Sequence, residues 1–116
     1  SADNPPLELS RQEVRRAYMG RVLEKGEFRI LPFRNASESF LQKVFLQKVV
    51  YMAPSHYQRL VVLRAQRGGW HPPAIRRPKA LLRVLEGPDY RIAYMWESQA
   101  RANNDQVRVL QELWRE

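Results

Sequence analysis

The sequence predicts a mainly α protein, a small single-domain helical bundle of four to five helices. Three observations point there. Residues 10–26 carry a full set of helix start and stop signals, residues 40–50 read FLQKVFLQKVV in a helix-forming context, and proline or glycine stands where further helices would begin and end. The alternative is α+β, with a hairpin at about residues 79–97.

The first helix is expected over about residues 11–25. Ser10 as N-cap with Glu13 three positions on makes a capping box, and Leu9 and Val14 stand where a hydrophobic staple would close around it. Val14, Ala17, Tyr18 and Val22 recur at helical spacing, and Gly26 offers a left-handed stop. In EFRILPF, Phe28 and Ile30 alternate with other residue types while Pro32 opposes a helix, which reads as a short extended segment at a sheet edge.

Asn35 and Glu38 resemble a second capping box, opening a helix that runs through the repeat to about Met52, where Pro54 ends it. The repeat has period five, which matches neither the 3.6 of a helix nor the 2 of a strand. On an α-helical wheel its Phe, Leu and Val side chains occupy several stripes and leave no wide polar face. Two situations suit that pattern: a central helix covered on most sides, or a helix with one stripe covered by another chain. Ser55 and Gln58 repeat the capping-box spacing, and the next helix stops at Gly68-Gly69. GGWHPPAIRRP, residues 68–78, is a loop. KALLRVLEGPDYRIAYMW reads as two strands around Gly87-Pro88-Asp89, or, as preferred here, as a short helix ending at Gly87 and a long one starting at Pro88. The closing DQVRVLQELWRE is helical on either reading, with Val107, Leu110 and Trp114 as its stripe.

At 116 residues the chain suits one domain, residues 1–116, with residues 1–8 a flexible tail. It holds no cysteine, so disulfides and thiolate catalysis are excluded. No run approaches the roughly 18 apolar residues of a membrane span, and SADNPPLELS lacks the regions of a signal peptide; the expectation is a cytoplasmic protein with no membrane partner. The net charge of +8 resides in the middle: from Ser39 to Leu85 there is no acidic residue, against Lys43, Lys48, Arg59, Arg64, Arg67, Arg76, Arg77, Lys79 and Arg83.

No catalytic constellation emerges. His56 beside Ser55 has no orienting carboxylate, His71 has no second ligand at metal spacing, and Gly68-Gly69 lacks the Gly-Lys-Ser/Thr of a phosphate loop. No catalytic residue, cofactor or metal ligand is therefore assigned, and the expectation is a protein that is not an enzyme. The sequence instead suggests a regulatory or adaptor protein, compatible with transcription regulation, that binds an acidic protein partner and forms a homodimer. Its candidate contact residues are Phe40, Val44, Phe45, Lys48, Trp70, Arg64, Arg67, Arg76 and Arg77. The alternative is a small basic nucleic-acid-binding protein that contacts phosphates through residues 39–85.

Overall fold

The computed structural model describes residues 8–103 and 113. It is an α+β fold in the order α1 (Arg11–Tyr18), β1 (Leu23–Lys25), β2 (Phe28–Pro32), β3 (Arg34–Asn35), α2 (Ser39–Phe45), a π-helical segment π1 (Leu46–Val50), α3 (Pro54–Gln66), β4 (Ala74–Ile75), α4 (Pro78–Val84), β5 (Tyr90–Ile92) and α5 (Glu97–Ala102). The helical bundle expected from the sequence is thereby corrected. The sheet β1-β2-β5 stands at its centre, with β2 antiparallel to β1 and parallel to β5, and β3 pairs with β4 in a second, two-stranded sheet.

The pleat of the sheet explains the two cores. Ile30, Tyr90, Ile92 and Tyr94 face the larger one, which also takes Val14, Ala17 and Tyr18 of α1, Leu41 and Phe45 of α2, Leu46, Val49 and Val50 of π1, and Tyr57 and Val61 of α3. The intervening Leu31, Phe33, Ala93 and Met95 face the other way, onto Leu81 and Leu85 at α4 and Trp70. The sheet is thus covered on both faces.

The capping box forms as the sequence implies, with Glu13 N–H donating to Ser10 Oγ at 3.1 Å and Ser10 N–H donating to Glu13 Oε1 at 3.0 Å. The helix nevertheless stops seven residues earlier than expected. Gly20, at φ +91°, closes a Schellman motif in which Gly20 N–H reaches Ala17 O and Arg21 N–H reaches Arg16 O, both at 3.2 Å. Gly26, at φ +63°, is instead the turn of the β1-β2 hairpin, and Val22 leaves the buried stripe to stand 49% exposed. Pro32 sits in the central strand, not at an edge. This is tolerated because β1 pairs only as far as Leu23 opposite Ile30, so no neighbour on that side needs the N–H that Pro32 lacks.

The second copy of the repeat winds largely as π1, where i→i+5 hydrogen bonding accompanies the burial of Leu46, Val49 and Val50; the copies are not equivalent, since Phe40 is exposed where Phe45 is buried. The apolar stripes that argued for a covering chain are mostly absorbed within this one; Phe40 and Tyr51 alone among the large apolar residues of the segment stay exposed. The two later capping boxes do not form. Asn35 is fully buried, its Nδ2 donating to Tyr94 O at 3.0 Å while its Oδ1 accepts from Ser37, and α3 begins with Ala53 as N-cap and Pro54 in its first turn. Residues 88–96 form neither a helix nor half of a hairpin: β5 pairs in parallel with the distant β2, because Tyr90, Ile92 and Tyr94 bury alternate positions at period two. The predicted stripe Val107, Leu110 and Trp114 lies outside the described residues, as does the tail up to residue 7.

Tyr18, Tyr57 and Tyr94 place three phenols in the core, and burial pushes all of their pKa values up. Their folded forms hold protons that the unfolded chain releases above about pH 10. Stability that is fully present below that pH should fall as pH rises through it, and Tyr94→Phe should flatten this alkaline decline in urea titrations. Tyr51 ends π1 at φ 62°, a left-handed conformation costly for an aromatic residue and easy for glycine. Tyr51→Gly should leave stability unchanged or raise it by about 1 kcal/mol, read as a shift in denaturation midpoint.

Candidate binding groove where two helix ends meet

The Gly68-Gly69 stop ends α3 as the sequence predicts, and it does so with a second Schellman motif: Gly68 N–H donates to Ala65 O at 3.2 Å and Gly69 N–H to Arg64 O at 2.8 Å. The two motifs dock on each other. Trp70 N–H donates to Gly20 O at 3.1 Å, and a Cβ on Gly69 would collide with that same carbonyl oxygen and lie 2.9 Å from Arg64 O. A Cβ on Gly20 would meet the Arg64 side chain at 3.1 Å. Gly69 is required for close backbone approach, and Gly20 for its left-handed φ in a site where Arg64 leaves little room.

Beside this junction lies a groove of about 590 Å³. One wall is the edge of α3, where Leu60, Leu63, Arg64 and Arg67 follow at i, i+3, i+4 and i+7; the other is the segment Gly20, Arg21 and Val22. Val22 and Leu63 are 49% and 45% exposed, so an apolar floor is open to solvent between three guanidinium groups. Among the described residues no carboxylate lines it. Two helix C-termini meet here, and each presents a partial charge of about −0.5; three full positive charges outweigh them. The groove is electropositive.

Its cations form no ion pair among the described residues. The ion pairs among the described residues are Lys25–Glu13, Arg29–Asp89 and Arg101–Glu97, and none involves the nine basic residues of the acid-free middle. The sequence-predicted contact residues are distributed unevenly. Arg64 and Arg67 enter the groove together, while Arg76 and Arg77 are exposed in the loop ahead of α4. Phe45 is buried against Tyr18 and Tyr94, Val44 is half-buried, and Trp70 is engaged within the chain, its Nε1 donating to Pro32 O at 2.9 Å and its ring meeting Phe33 edge-on. Phe40 and Lys48 are exposed on the far side of α1.

Sequence reasoning missed Arg21, Val22, Leu60 and Leu63, because a groove between the ends of two helices leaves no local pattern; of the two stops that build it, the Gly68-Gly69 stop was read and the Gly20 stop was not. It also missed Arg34, whose guanidinium is 9% exposed yet bonds to no carboxylate among the described residues. Arg34 Nε donates to Pro72 O at 3.0 Å, Nη1 donates to Gln58 Oε1 at 3.4 Å, and the group lies 5.8 Å from the Tyr57 ring centroid. It ties the loop before β4 to α3. Ser55 and His56 are both exposed in the first turn of α3, and among the described residues no hydrogen bond joins them. No group of three or more His, Cys, Asp or Glu side chains gathers among the described residues at metal-binding distance, and no helix there is long and apolar enough to cross a membrane.

The chain matches no family model, no curated protein and no solved structure.

Because Gly69 faces backbone oxygens whereas Gly68 faces open space, the two glycines should respond differently to alanine. Gly69→Ala should cost about 2 kcal/mol or more through steric conflict at the helix junction, and Gly68→Ala about 1 kcal/mol through its positive φ, measured by chemical denaturation.

Proposed function

We propose that this chain is a non-enzymatic binding protein of the cytoplasm, an adaptor or regulator whose α1–α3 groove receives an acidic, amphipathic segment of a protein partner. The observation that carries this reading is the composition of the groove: half-exposed Val22 and Leu63 with Leu60 on its floor, and Arg21, Arg64 and Arg67 around them without a carboxylate. Apolar side chains and arginine together typify the energetic centre of protein interfaces. A ligand bound by phosphates alone would gain nothing from the leucines. A partner helix with leucines on one face and Glu or Asp on its flanks would bury the floor and pair with the rim.

The repeat no longer argues for a homodimer, since π1 turns most of its apolar residues inward. The groove binds in this reading as a monomer's surface.

The test uses a helical peptide with leucine at i and i+4 flanked by glutamates, titrated into the labelled protein and followed by amide chemical shifts. Shifts should centre on Gly20, Val22, Leu63 and Gly69, and Leu63→Asp or Arg64→Glu should weaken binding by about 2 kcal/mol, roughly thirtyfold. The reading fails if random duplex DNA moves those resonances with a steep salt dependence while the peptide moves none.

A further inference from the structure

The outer arc of α2 and π1, none of whose residues lines the groove, carries a second set of exposed groups. Phe40, Lys43, Gln47, Lys48 and Tyr51 all face solvent, with Phe40 62% and Tyr51 68% exposed. Each ring is supported on one side. Phe40 stacks on Trp96 with centroids 6.3 Å apart and planes 26° apart, and Tyr51 has the Arg15 guanidinium 5.9 Å from its centroid. Each has solvent on the remainder of its surface. Lysines stand between and beside the rings, and α1 adds Arg11 and Arg15, which donate to Lys48 O and Val50 O and thereby sit over the end of π1. The carboxylate at this face is Glu38, at the Phe40 end, where it accepts from Trp96 Nε1.

We infer that this stripe is a binding site for single-stranded nucleic acid, in which bases stack on Phe40 and Tyr51 while Lys43, Lys48 and the free N–H groups of Arg11 and Arg15 meet phosphates. Two stacking rings set in a basic track are what sequence-tolerant recognition of single strands requires. A duplex keeps its bases stacked on one another and cannot use the rings. Backbone conformation bears on the same point: Tyr51 is held at φ 62°, where glycine would be easier, and it follows a π-helical segment of the kind frequent at functional sites.

The experiment measures fluorescence anisotropy of a labelled oligothymidine of about 12 nucleotides at about 50 mM salt. Wild-type protein should bind it, and should bind a duplex of the same length at least about fivefold more weakly. Tyr51→Gly and Phe40→Ala should each weaken oligomer binding by about tenfold, and the glycine variant should do so without a lower melting temperature. Arg64→Glu, in the groove, should change it less than about threefold, since the reversed charge lies outside the stripe. Three results would overturn the inference: no binding by the wild type, equal affinity for single strand and duplex, or wild-type affinity in Tyr51→Gly. Capture by phosphatidylserine vesicles that Tyr51→Gly abolishes, with no oligomer binding, would assign the stripe to a membrane surface instead and equally overturn it.

Discussion

The end of α1 is where this structure is joined together. Tyr18 is buried there, and its hydroxyl donates to Phe33 O at 2.9 Å, with Ile92 O at 3.3 Å, at the ends of β2 and β5. Its own backbone carbonyl accepts from Tyr57 Oη of α3, and its ring meets Phe45 and Tyr94 edge-on. One residue therefore contacts the sheet, α2 and α3 at once. Two positions later Gly20 lets the α3 end dock through Trp70 and Gly69. The hydroxyl hydrogen bonds of Tyr18 and Tyr57 are buried, so each one missing would carry the full cost of desolvation, about 1–3 kcal/mol. That cost makes the arrangement specific.

Both proposed surfaces follow from this junction. Joining α1 and α3 through their C-termini brings together two Schellman turns whose side chains cannot fill the space between them, and Arg21, Arg64 and Arg67 with a leucine and valine floor are left facing solvent. Along its length α1 lays Arg11 and Arg15 over the carbonyls of π1, which fixes the strip that carries Tyr51. Of the basic residues in the acid-free middle, Arg64 and Arg67 join Arg21 in one surface and Lys43 and Lys48 join Arg11 and Arg15 in the other; what accompanies the charge distinguishes them, aliphatic side chains in the first and aromatic rings in the second. That difference, not charge alone, is why we propose a peptide for the first and unstacked bases for the second.

Local signals were legible in the sequence where a short-range rule governs them. The Ser10–Glu13 box and the Gly68-Gly69 stop form as expected, and the basic middle remains without ion pairs among the described residues. Competing local rules misled where tertiary pairing decides. Pro32 signals an edge strand, but the neighbour it would disrupt ends at Leu23. Tyr90, Ile92 and Tyr94 show strand period plainly, yet their partner is β2, some sixty residues upstream, which no hairpin signal can reveal. The repeat was read on an α-helical wheel and so looked apolar all round; wound with i→i+5 bonds, its second copy turns inward. Of the groove, Arg64 and Arg67 were visible as charge, but its apolar floor was not, since Val22 was placed in a helix that ends before it.

The most direct measurement of the helix junction is amide exchange at Trp70, whose N–H donates to Gly20 O across the two Schellman turns. If the ends of α1 and α3 are docked as described, this amide should exchange only with global unfolding, as slowly as the amide of buried Val61 in α3. Exchange as fast as at the exposed hairpin residue Gly26, in protein that is otherwise folded, would mean that the two ends are not joined and that the groove between them does not exist.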